Sequence, residues 1–198
     1  MKCFQEAVVD RRSIYSLGRN IPVLESQVVA AVERLTKEVP SAFNMQSARV
    51  IVAMNEHHEN VWEIVTDTLK NVVSISQYKE TEEKINGFKA AYGTILFFED
   101  ITTVESLQGK FPTYAQSFPT WAAQANGMLQ FAIWTQLEAM GLGVNIQHYN
   151  PLIDEGIRKC FNTPESWNLV AQMVFGEVIE PAQPIVKIPV KERVKVFA

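Results

Sequence analysis

PTWAAQANGMLQFAIWTQLEAM, residues 119–140, is the stretch on which the reading of this chain turns. Proline is favoured in a first helical turn, and Pro119 opens the segment. Trp121, Ala125, Met128, Leu129, Ala132, Ile133, Leu137 and Met140 then recur at helical spacing and occupy more than one face. A helix that is apolar nearly all round lies in a core or against another subunit. Gly141 or Gly143 closes it, as glycine does at helix C-termini. Gln124, Asn126, Gln130, Gln136 and Glu138 interrupt the stretch. They would be costly in lipid, so it reads as a buried helix and not as a membrane span.

Strand-like runs lie on both sides of this helix. Thr94-Ile95-Leu96-Phe97-Phe98 follows Gly93 and is built from β-branched and aromatic residues. Val50-Ile51-Val52-Ala53-Met54 is a continuous apolar run, of the kind that suits a strand covered on both faces. A third run spans 169–175. Helices are expected over the first ten residues, over 24–38 with Leu24, Val28, Val32 and Leu35 on one stripe, over 61–72, over the polar stretch 78–89 and over 151–161. Pro40 ends the second of these. Residues 101–119 contain Gly109, Pro112 and Pro119 and read as irregular or weakly helical. Residues 181–198 carry three prolines and read as an extended arm. Helices and short strands alternate, which makes the fold α/β, or α+β on a stricter classification. No repeat or linker splits the chain, so 1–198 reads as one domain, a natural size for 198 residues.

Composition narrows the function. Hydrophobic residues make up 47% of the chain, enough for a substantial core, and the net charge of −4 argues against a general nucleic-acid binder. Residues 1–20 hold Lys2, Glu6, Asp10, Arg11, Arg12 and Arg19, which leaves no apolar core for a signal peptide. Cys3 and Cys160 form no CxxC pair and no metal spacing. Two reduced thiols in a cytoplasmic protein are the plain reading. His57 and His58 are adjacent and so face different sides of a helix, and no HExxH is present, which predicts no metal site. The chain has no GxGxxG, no GxxxxGK[ST] and no GxSxG elbow.

Four polar segments remain. Arg11-Arg12-Ser13-Ile14-Tyr15 lies near the start, and Lys191-Glu192-Arg193 near the end. Arginine and lysine suit a phosphate through charge and several N–H donors. Alternation in an extended arm would turn Lys191 and Arg193 to one side. The other two segments are Pro40-Ser41-Ala42-Phe43-Asn44-Met45-Gln46-Ser47 and the turn from Gly141 to Pro151, with Asn145, Ile146, Gln147 and His148 inside it. Asn, Gln and Ser can hold a flat heteroaromatic ring by its edges. Each segment also has an ordinary reading, as solvated charge, a charged tail, or loops satisfying their own backbone. Phe111, Tyr114 and Phe118 crowd a proline-interrupted loop, of a kind that can cover an active site.

These four segments resemble the nitroreductase family of FMN-dependent enzymes over nearly the whole chain. Arg-Arg-Ser-Ile at 11–14 and Gln-His-Tyr-Asn-Pro at 147–151 carry most of the likeness. The resemblance is to the small subgroup that includes bacterial copper-induced nitroreductases and a fungal lipid-signalling relative. It implies a mostly antiparallel sheet of four or five strands wrapped by helices, in an intertwined homodimer whose C-terminal arms embrace the partner. It implies FMN contacts from Arg11, Arg12, Ser13 and Tyr15, from Ser41, Ala42, Phe43, Asn44 and Gln46, from Lys89, from Asn145 to His148, and from Lys191 and Arg193. It implies hydride uptake from NADH or NADPH and reduction of nitroaromatics, quinones or similar flat acceptors by a ping-pong mechanism, with no catalytic side chain. A flavin-binding regulatory or stress-response protein with little turnover is the second reading.

Overall fold

In the computed structural model, which describes residues 2–197, a five-stranded sheet runs through the middle of the chain. Met1 and Ala198, the outermost residues of the expected domain and arm, lie outside the described residues. The strands are β1 (Leu17–Gly18), β2 (Ala48–Met54), β3 (Gly93–Asp100), β4 (Gly143–Gln147) and β5 (Trp167–Val178). Every pairing between them is antiparallel. β5 is the hub: β3 lies on one side of it, while β4 and the short β1 share the other. Among the described residues β2 pairs only with β3.

The expected helices form α1 (Phe4–Asp10), α2 (Glu25–Glu38), α3 (Glu56–Lys70), α4 (Ile75–Lys89), α6 (Phe118–Ala139) and α7 (Asp154–Phe161). Leu24 stands just outside α2 as its exposed N-terminal flank, and Val72 lies beyond α3, also exposed. Gly141, with φ of 88°, ends the turn after α6 in the left-handed region that glycine enters without strain.

The sheet separates two cores. Ile95 and Phe97 of β3 and Ala171, Met173 and Phe175 of β5 face α2 and α6, where Val28, Val32, Leu129, Ile133 and Leu137 meet them. Leu96 and Phe98 face the other way, toward Val61, Trp62, Val65, Ile85, Phe88 and Ile157 of α3, α4 and α7. The register slips between Phe97 and Phe98, so that Phe97 pairs with Ala171 while Phe98 pairs with Leu169. This bulge switches which residues of β5 face each core.

Four expectations need correction. Residues 101–110 form a regular helix, α5 (Ile101–Lys110), with only 112–117 in a 3-10 turn. Its start is anchored by Asp100, whose carboxylate accepts hydrogen bonds from Thr102 and Thr103. Gly109 falls in the last turn of α5, one residue before the helix ends at Lys110, so it marks the stop and not the interior. The apolar run of β2 is an edge strand, half-buried except at Ala53, and the strand buried along its whole length is β3. The polar stretch after Gly141 contains a strand, β4, with Asn145 and Gln147 buried in it. Lys191 and Arg193 belong to a 3-10 turn (Val190–Glu192 with Arg193 as its cap), so strand alternation does not align them.

Candidate functional site

The N-terminal basic segment is fastened to the rim of the sheet. Ser13 forms a parallel bridge with Val144 of β4. The Ile14 N–H donates to the Val144 carbonyl at 2.9 Å. The Ile14 carbonyl accepts from Asn145 Nδ2 at 2.7 Å, and Asn145 Oδ1 in turn accepts from Gln147 Nε2 at 2.9 Å. Asn145 is fully buried, so both ends of its amide serve this link. Next along, Gln172 of β5 accepts from the Tyr149 N–H at 2.8 Å and donates to Asn150 Oδ1 at 3.3 Å. The buried amides therefore lock the basic segment to β4 in one register.

Beside this link, Arg11, Arg12, Ser13, Tyr15 and Ser16 line a cavity of about 580 Å³ whose other wall is Glu180–Ile185. The Arg11 guanidinium lies 4.4 Å from the centroid of the Trp134 ring. Arg12 donates to the Gln183 carbonyl. Among the described residues neither arginine is ion-paired with a carboxylate, whereas Lys2, Arg19, Arg49 and Lys89 all are. Two unpaired guanidinium groups at a cavity wall leave donors and charge for an anion. Lys191 and Arg193 are not brought to this wall. Every residue from Gln183 to Phe197 is exposed, and the arm reaches the cavity only through Glu180–Ile185.

The Ser41–Gln46 segment is built under strain. Phe43, Asn44 and Gln46 all have positive φ, at 55°, 51° and 52°. For a bulky aromatic residue that region is a genuine outlier. Ser41 Oγ accepts from the Gln46 N–H at 2.9 Å, and Arg49 Nη1 donates to the Gln46 carbonyl at 2.7 Å while its Nη2 holds Asp100 at 2.8 Å. The Phe43 ring packs against Phe111, Tyr114, Phe118 and Trp121. Ser41 and Gln46 also border a second cavity, of about 740 Å³, with Val32, Leu129 and Trp167.

The two halves do not meet within this chain. Gln147, Gln172, Leu96 and Ile51 lie in line across β4, β5, β3 and β2. Three strand spacings, plus the residues from Ile51 back to Gln46, put roughly 20 Å between the polar ends of the two segments. Lys89 is elsewhere again. It ends α4, and its ammonium pairs with Glu63 at 2.7 Å. His148 is exposed just past β4, and Ile146 is half-buried within it.

At its helical spacing Trp134 reads from the sequence as a core or dimer contact, and the 180–185 wall is not singled out there at all. Nothing in the sequence marks them as site residues, because Trp134 resembles its apolar neighbours on α6 and the wall acts through backbone.

Comparison with known proteins agrees with this architecture. The Nitroreductase family model matches residues 8–177. The nitroreductase FRM2 of Saccharomyces cerevisiae is 33% identical over 175 residues, covering 87% of this chain and 86% of FRM2. The nitroreductase CinD of Lactococcus lactis, solved in complex with 4-nitrophenol, superposes with a TM-score of 0.91 at 41% identity and covers 99% of this chain and 100% of CinD. CinD has also been solved with nicotinic acid. At 16% identity and a TM-score of 0.74, the FMN complex of a nitroreductase from Exiguobacterium sibiricum shares the fold, covering 100% of this chain and 98% of its own. A family match across most of the chain, a curated relative over nearly nine-tenths of it and a near-complete structural superposition coincide, and this chain belongs to the nitroreductase family.

Proposed function

We propose that this oxidoreductase binds FMN, takes a hydride from NADH or NADPH, and reduces a flat aromatic acceptor such as a nitroaromatic or a quinone. The observation that carries the reading is the Ser13–Val144 bridge. It sets the unpaired Arg11 and Arg12 at one end of a short line and residues 146–148 at the other. Val144 and His148 are four residue steps apart along extended chain, about 13 Å, a span suited to a phosphate and a ring system joined by a ribityl chain. The fold neighbour solved with FMN and the CinD complexes with 4-nitrophenol and nicotinic acid support the same assignment.

The FMN ring supplies the two-electron chemistry when bound, and the protein supplies placement and electrostatics. Arg11, Arg12 and the Ser13 hydroxyl hold the phosphate. Asn145 and Gln147 keep that segment and β4 in fixed register. Backbone and side-chain groups of Ile146, Gln147 and His148 border the ring edge. Once these residues hold the flavin, it would pass two electrons from donor to acceptor in separate half-reactions, which would give ping-pong kinetics.

The Ser41–Gln46 strip comes from a second copy in this reading. It stands roughly 20 Å from β4 within one chain, as the strand count shows, and a two-fold dimer would return it to the partner's β4. Two exposed apolar features support such a dimer. One is the α6 stripe with Met128 and Phe131, and the other is the arm with Ile185, Val186, Ile188, Val190, Val194, Val196 and Phe197.

An absorbance spectrum tests the proposal. The purified protein should be yellow, and the flavin band should bleach on adding NADH or NADPH and return on adding a nitroaromatic. A colourless protein that cannot be loaded with FMN would refute it. Bound flavin without turnover would favour a flavin-binding regulatory protein instead.

A further inference from the structure

We propose that Phe43 is the residue that selects flat acceptors, presenting an aromatic face to the substrate from a backbone held in a strained turn. The inference rests on the FMN reading above and adds to it a specificity residue.

Phe43 is the hub of a five-ring cluster. Its ring centroid lies 4.8 Å from Phe111, 5.4 Å from Phe118, and 5.8 Å from both Tyr114 and Trp121. Trp121 stacks on it nearly parallel, at 16°. A ring with four aromatic neighbours would ordinarily be covered, yet Phe43 is 49% exposed and Tyr114 beside it 47%. The cluster grips the ring without enclosing it. Its backbone stands at φ 55°, ψ 23°, a conformation that costs a bulky residue energy and persists only when its surroundings over-determine it. Here the rings of Phe111, Tyr114, Phe118 and Trp121 do so, together with the Ser41 and Arg49 hydrogen bonds on either side.

A rigid, half-exposed aromatic face on the strip assigned to the ring site stacks best on another planar ring, in offset or edge geometry. It offers nothing to a compact, non-planar oxidant. Acceptors with an aromatic plane gain from Phe43, and acceptors without one do not.

Full-length, FMN-loaded wild type, Phe43→Gly and Phe43→Leu test this. Glycine accepts the positive φ, and leucine keeps apolar bulk without a flat face. Each protein is chemically reduced and mixed in a stopped-flow instrument with nitrobenzene or with ferricyanide, following the return of flavin absorbance. The ratio of the nitrobenzene rate to the ferricyanide rate should fall by about tenfold or more in both variants. An unchanged ratio, from unchanged rates or from equal slowing with both oxidants, would overturn the proposal. If wild type takes up no FMN, the flavin reading fails by itself. Ligand-observed NMR then decides: nitrobenzene line broadening lost in Phe43→Gly supports the platform, and identical broadening in both proteins overturns it.

Discussion

His58 Nδ1 lies 2.8 Å from Thr94 Oγ1 in the core between α3 and β3. The other ring nitrogen lies 3.2 Å from the Lys89 carbonyl, which can only accept, so Nε2 carries the proton. Thr94 then donates to Nδ1 and accepts from Trp62 Nε1 at 2.9 Å. The neutral imidazole is fully satisfied, and burial pushes its pKa down to about 4.

A pH dependence of stability follows. The folded pKa is below the unfolded value, so the unfolded chain binds the extra proton. This contribution, about 3 kcal/mol, is complete above about pH 6.5 and is lost progressively as pH falls toward about 4. Urea unfolding between pH 7.5 and 4.5 should show the decline, and His58→Gln should flatten it. An identical slope in the variant would refute the assignment.

Thr94→Val removes the hydroxyl that both Trp62 and His58 use. Two buried polar atoms lose their partner, and stability should fall by about 2–4 kcal/mol. Flavin content should stay normal, since this network lies on the α3 side of the sheet.

Asn145→Leu should act on stability and cofactor together. The Ile14 carbonyl and the Gln147 amide both lose their partner, costing about 2–3 kcal/mol. The basic segment loosens from β4, and the FMN dissociation constant should rise about tenfold. Fluorescence titration with FMN measures this, and an unchanged constant would detach Asn145 from the phosphate site.

Arg11→Ala should weaken FMN by about 10–100-fold, the range for a charge-assisted contact. The loss of its stacking on Trp134 should cost only about 0.5–1 kcal/mol of stability. Arg11→Lys should recover part of the affinity. A melting temperature that collapses with Arg11→Ala would recast the residue as structural.

Phe131→Glu places a charge in the exposed apolar stripe of α6. Light scattering should give two chains for wild type and a shift toward one for the variant, with FMN lost in step. Retention of FMN by a monomeric variant would show that one chain completes the site.

Gly176→Ala tests the β1–β5 contact. A Cβ there would run into the Gly18 carbonyl, which is backbone and cannot swing aside. Overpacking of this kind costs about 1–3 kcal/mol, read directly from denaturant unfolding.

The helical periodicity of 119–140, the apolar runs of β2 and β3, and the likeness of Arg-Arg-Ser-Ile and Gln-His-Tyr-Asn-Pro to one enzyme family were legible in the linear chain, because they are local patterns. β4 was not legible, because the amides of Val144-Asn145-Ile146-Gln147 disguised its alternation as a turn. They look like surface chemistry until Asn145 is seen bonded to Ile14 and Gln147. Helix α5 was hidden by Gly109 and Pro112, which punctuate its end and not its interior: Gly109 lies in its last turn and Pro112 opens the 3-10 turn that follows. Only the tertiary structure decided which polar segments share a wall. It joined Arg11–Ser13 to β4, set the Ser41–Gln46 strip on the opposite border of the sheet, and left Lys191 and Arg193 on an exposed turn. Residue types declare what chemistry a segment can perform, but strand order and register, which depend on pairings between distant residues, determine where it can perform it.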